Sequence, residues 1–118
     1  MQQFLFNFES VMQNYFLDYH VETIVETPKS LQARIHLDSN CFLSLRHNER
    51  NNRTDVALIK NGQRIFGYDN LKTWHFHPYE NPSEHIPCKP PSIEKMISEV
   101  KKYYEIDKKK TSKVNDEL

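Results

Sequence analysis

At 118 residues, with sixteen Lys plus Arg set against sixteen Asp plus Glu, the chain has room for one small domain and no net charge to draw it onto nucleic acid or membrane as a whole. Hydrophobic residues make up 37% and aromatics 12%, enough for one thin core, and no long apolar run is present to cross a bilayer. Two cysteines, Cys41 and Cys88, exclude a disulfide scaffold or a CxxC zinc knuckle, and two glycines, Gly62 and Gly67, leave no GxGxxG or Walker-A phosphate cradle.

The opening MQQFLFNFES lacks the positive n-region and small-residue cleavage site of a secretory signal, so the expected location is the cytoplasm, with both thiols reduced. Phe4, Phe8, Val11, Met12, Tyr15 and Phe16 recur at helical spacing and predict an amphipathic helix of about four turns. From Tyr19 the period falls to two: Tyr19, Val21, Thr23 and Val25 alternate with polar neighbours until Pro28. Leu31, Ala33, Ile35 and Leu37 give the cleanest strand signal, and Ser39-Asn40 turns it into Cys41, Leu43 and Leu45, a hairpin with one apolar face. A polar loop, HNERNNRT, follows from His47 to Thr54. Val56 to Lys60 and Arg64 to Tyr68 flank Asn61-Gly62, the dipeptide that supplies the positive φ values of a tight hairpin turn. Pro90-Pro91 leads to Ser92 as N-cap, after which Ile93, Met96, Ile97, Val100 and Tyr103 or Tyr104 mark a second helix. The expected fold is α+β: an antiparallel sheet of four to six strands covered by an N-terminal and a C-terminal helix, in a single domain over residues 1–106. Residues 107–118 read as a charged, flexible tail.

Charge is uneven along this plan. Residues 1–28 carry four acidic residues and no Lys or Arg, whereas residues 29–66 carry seven basic residues against three acidic, so a polyanion would meet the middle of the chain. The remaining anomaly is residues 68–91, YDNLKTWHFHPYENPSEHIPCKPP, which hold three of the six histidines and the only tryptophan. A connection of this length in a small domain is functional or disordered, and its aromatics argue against disorder. On an extended backbone His75 and His77 share a face, and His85 follows a turn built on Asn81-Pro82. The three could take a metal with Cys88, Glu80 or Glu84 as fourth ligand, although the spacing matches no well-marked zinc motif. They could equally work as metal-free acid/base groups, or simply hydrogen-bond the loop while Trp74 and Phe76 plug the core.

The stretch FGYDNLKTWHFHPYENPSEHIPCKPPSIEKMISEVKKYY resembles the C-terminal half of the TumE family of small prokaryotic proteins, through Tyr68, Asp69, Asn70, His75 and His77. The likeness covers roughly residues 30–105. It implies the toxin half of a type II toxin–antitoxin pair, partnered by a small DNA-binding antitoxin, with RNA as the target.

Cleaving RNA through its 2′-hydroxyl needs a base, an acid and positive charge on the phosphoryl group. His75 or His77 suits the base, His85 the acid, and Arg46 or Arg64 the phosphate clamp, with Tyr68 and Trp74 as stacking platforms for an unpaired base. This reading calls for no metal or cofactor and no membrane, and leaves a homodimer open. A non-catalytic module binding protein or RNA through the basic sheet and aromatic loop is the alternative, and a metal-dependent hydrolase built on the histidines is a third reading.

Overall fold

The computed structural model describes the backbone of residues 2–116 and the side chains of residues 2–110. Its elements run α1 (Gln2–Met12), β1 (His20–Glu26), β2 (Ser30–Asp38), β3 (Cys41–Asn48), β4 (Arg53–Lys60), β5 (Gln63–Asp69), β6 (His75–His77), β7 (Ile86–Pro87) and α2 (Ile93–Asp116). All seven strands form one antiparallel sheet in chain order, and the α+β architecture with a helix at each end is as the sequence predicts. The strand count exceeds the expected four to six because residues 68–91 extend the sheet instead of crossing it. Tyr68 pairs with Phe76 and Phe76 with Ile86, and the Cys88 N–H donates to the Trp74 carbonyl at 3.0 Å. Pro87, which has no N–H to give, sits on this short edge strand.

Strand alternation divides the sheet into two faces. Leu31, Ala33 and Ile35 of β2, Cys41, Leu43 and Leu45 of β3, Val56 and Leu58 of β4, and Phe66 and Tyr68 of β5 are all buried in one core cluster. Both helices cover that face. α1 contributes Phe8 and Met12, each fully buried, and Phe4 stacks flat on His47 at 4.0 Å; α2 contributes Met96, Ile97 and Val100. Each such side chain adds about 1.5–3 kcal/mol when taken fully from water. Leu37, expected on the same face, is only half-buried because a bulge between His36 and Asp38 breaks the alternation.

The helix ends differ from expectation in opposite directions. α1 stops at Met12, a turn early, where the Tyr15 and Phe16 N–H groups both donate to the Met12 carbonyl, yet Phe16 still reaches the core. At the other end Ser92 caps α2 as predicted, its Oγ accepting the Lys95 N–H at 3.0 Å. α2 then runs through Asp116, past the tail boundary drawn at 107, although its apolar stripe ends earlier. Polar anchors take over from apolar ones: Asp107 accepts from the Tyr79 hydroxyl at 2.8 Å and pairs with Lys60, and Lys110 pairs with Glu80. Residues 117–118 of the expected tail lie outside the described residues. Among the described residues no helix is long and apolar enough to cross a membrane.

Candidate functional site on the open sheet face

The face away from the helices is polar, and register alone assembles it. Gln32, Arg46, Asp55, Asp69 and His75 form one cross-strand row from β2 to β6, and Arg34, Ser44, Ala57, Gly67 and His77 form the next. With strands about 4.8 Å apart, Arg46 lies about 14 Å from His75 along its row. Gly67 is required by close approach: a Cβ there would lie 2.8 Å from the Val56 carbonyl oxygen and 3.2 Å from the Ala57 Cα.

A bulge brings in Arg64. Leu58 pairs with Phe66 but Ile59 pairs with Arg64, so Ile65 is the extra residue and Arg64 is turned to the open face. Its Nη1 lies 3.3 Å from both ring nitrogens of His77, a placement over the face of the imidazole. At the far end of the first row a shallow depression of about 350 Å³ is lined by Arg46, Arg53, Asp55, Asn48 and Asn51 among others.

The three histidines of residues 68–91 converge, as their spacing suggested. The ring of His85 stacks on His75 at 4.9 Å and 6°, and lies edge-on to His77 at 4.5 Å, while His75 and His77 are 5.1 Å apart. Their environments differ. His75 and His77 are buried at 8% and 3% exposure, whereas His85 is exposed and nothing among the described residues hydrogen-bonds its ring.

What organises the buried pair is Asp69, which the sequence reading held only as part of the Tyr68-Asp69-Asn70 signature. Asp69 Oδ2 lies 2.9 Å from His77 Nε2 and 3.1 Å from His75 Nε2. Its Oδ1 accepts the Leu71 N–H at 3.0 Å. Burial pushes the Asp69 carboxyl upward, but the hydrogen bonds from His77 and Leu71 and the adjacent imidazoles outweigh it and hold the group below its ordinary value. The neighbouring Asp55 moves the other way: burial raises it, against the pull of Arg64. Asn70 completes the signature by accepting the Thr54 N–H at 2.8 Å and donating to the Asn52 carbonyl at 2.8 Å, which ties the β3–β4 turn to the site.

Other expected site residues fall elsewhere. Tyr68 is buried in the core on the helix-covered face, edge-on to Phe66 at 5.4 Å, and so cannot stack a nucleobase. Odd and even positions of β5 face opposite sides, so Tyr68 and Asp69 cannot both serve the open face. Trp74 is half-buried against the same core. Of the fourth metal ligands considered, Cys88 is half-buried against the core and lines a cavity with Phe66 and Phe76, Glu80 pairs with Lys110, and Glu84 accepts from Asn81. Arg46 and Arg64 are exposed on the open face, as a phosphate clamp would require.

No curated protein and no solved structure matches this chain. The family model described as Toxin TumE matches residues 7–107, the whole sheet and most of both helices. Of the residues that carried the resemblance, Asp69, His75 and His77 build the cluster, Asn70 ties its surrounding loop, and Tyr68 packs in the core beneath. The chain therefore belongs to the TumE toxin family, the toxin component of a toxin–antitoxin system, and has an antitoxin as its implied partner.

Proposed function

We propose that this toxin acts on single-stranded RNA in the cytoplasm as an endoribonuclease, at the open sheet face. The observation that carries this reading is the exposed His85 ring, stacked on the buried His75 and edge-on to the buried His77, over which Arg64 is also placed. The reaction is attack of a 2′-hydroxyl on its neighbouring phosphodiester. His85 takes the hydroxyl proton, since it is exposed and its ring has no hydrogen-bond partner among the described residues, while both ring nitrogens of His77 are engaged within the protein. Arg64 and Arg46 neutralise the charge that builds on the phosphoryl oxygens, and the departing 5′-oxygen is protonated from solvent at this uncovered surface. The row of polar residues leading to Arg46 and Arg53 gives the RNA backbone a track away from the reacting phosphate. The small DNA-binding antitoxin, by covering this face, would keep the toxin silent.

Expressed without its antitoxin, the protein is expected to slow growth, and the purified protein to cut single-stranded RNA. His85→Ala should keep the fold and lower the cleavage rate by roughly 10²–10⁴. Equal RNA affinity of wild type and His85→Ala, with neither cutting any RNA offered, would replace the nuclease by a binding module that acts through sequestration.

A further inference from the structure

We infer that Asp69, His75 and His77 form a binding site for a divalent transition-metal ion of the zinc class. The inference concerns the buried groups beneath His85 and stands whether or not the protein cleaves RNA.

The donor atoms already converge. Asp69 Oδ2, His75 Nε2 and His77 Nε2 lie within 4.8 Å of one another, and the two contacts to the carboxylate oxygen are 3.1 and 2.9 Å. Ligands held at about 2.0–2.1 Å around a tetrahedral ion are separated by about 3.3 Å, so an ion at their centre asks for shifts of only a few tenths of an ångström on those two edges.

The outer contacts are those a metal site needs. His75 Nδ1 donates to the Thr73 carbonyl at 3.0 Å, and His77 Nδ1 donates to the Pro82 carbonyl at 3.0 Å. With Nδ1 committed to a carbonyl, each ring is turned so that Nε2 points inward; an ion there would take over the His77 Nε2 contact to Asp69 and give the unpartnered His75 Nε2 a partner. Asp69 is likewise oriented by the Leu71 N–H on Oδ1, leaving Oδ2 for the ion. All three ligands thus have a backbone partner fixing their direction.

The site is also unfinished without a cation. His75 is nine-tenths buried, and its Nε2 is the buried side-chain nitrogen among the described residues that makes no hydrogen bond, although Asp69 Oδ2 is only 3.1 Å away. His77 Nε2 reaches Asp69 Oδ2 at 2.9 Å, whereas the equally inward Nε2 of His75 is left without a hydrogen-bond partner. Asp69 thus serves one imidazole and not the other, whereas a metal ion serves all three donors at once. One carboxylate and two imidazoles suit zinc, and also iron, nickel or copper, better than magnesium or calcium. Three protein ligands would leave a coordination position for water or a phosphate oxygen.

The test uses full-length protein without a His-tag, stripped with EDTA, dialysed, and titrated with ZnCl2 against a chromogenic chelator. One equivalent should bind, with MgCl2 competing poorly. Asp69→Asn and His75→Gln should each weaken zinc binding by more than the 10–100-fold typical of outer contacts, while His85→Ala and His36→Ala leave it within a few-fold. Because the buried variants can lose stability, Co2+ added to the wild type provides a second reading: visible ligand-field bands of nitrogen-bound cobalt should appear and be displaced by one equivalent of zinc. Zinc binding well below one equivalent with no cobalt bands would overturn the site. So would binding abolished by His36→Ala, which would move it to the exposed His20, Glu22 and His36 group. The two proposals separate cleanly: stoichiometric zinc without RNA cleavage rejects the nuclease alone, and cleavage in EDTA without zinc binding rejects the metal alone.

Discussion

Replacing Gly67 with alanine probes the fold and the site together. An added Cβ would meet backbone on β4, 2.8 Å from the Val56 oxygen and 3.2 Å from the Ala57 Cα, and neither can rotate away as a flexible side chain would. Forcing two central strands apart costs about 1–3 kcal/mol by the measure of overpacked cores. The unfolded chain of the alanine variant is stiffer, which offsets about 0.4–1 kcal/mol. The expected net loss is therefore on the order of 1–2 kcal/mol, or about 0.5–1 M in the urea midpoint for a slope near 2 kcal/mol/M. Trp74, the single tryptophan, is half-buried against the core and reports unfolding by its fluorescence. Gly67 pairs with His77 and lies two residues before Asp69, so zinc affinity should fall as well. Gly62→Ala is the control: φ there is +80° with nothing within 4 Å, so it should cost about 1 kcal/mol of backbone strain and leave zinc binding unchanged. An unchanged midpoint for Gly67→Ala would refute the β4–β5 register on which the open face depends.

Ile35→Ala, at a fully buried position between Val21 and Leu43, should cost about 2–5 kcal/mol by urea unfolding; a loss below about 1 kcal/mol would mean that the apolar face is not core. Arg64→Ala should weaken RNA binding and lower the log–log salt slope by about 0.7, the value for one lost phosphate contact on a single strand, and an unchanged slope would remove Arg64 from the clamp. Burial pushes the Cys41 thiol up to about 12, so at pH 8 a thiol reagent should label only Cys88 in the native protein and both cysteines in urea. In the unfolded chain the same thiol ionises near 9, so stability should decline as pH climbs from about 9 towards 12, less steeply in Cys41→Ala; an equal slope would contradict the burial of Cys41.

Much of this fold is local, and local order is legible in sequence. Alternation at Leu31, Ala33 and Ile35, the Asn61-Gly62 turn with φ values of 51° and 80°, and the Ser92 cap each follow from one residue and its immediate neighbours. The convergence of His75 and His77 was visible for the same reason, because two residues separated by one on a strand share a face. The tertiary structure alone decided the rest. Simple alternation puts Arg64 on the same side as Phe66 and Tyr68, inside the core, and only the bulge at Ile65 turns it over His77. Tyr68 looked free to meet a base until α2 covered its face, with Tyr103 packing on the adjacent Phe66 ring at 4.6 Å. Asp69 became the centre of the site through a pairing that no periodicity encodes: β6 folds back so that His75 stands opposite it. A sequence carries the period of each strand, but which strands lie side by side, and in which register, is settled by the joint packing of all of them against two helices.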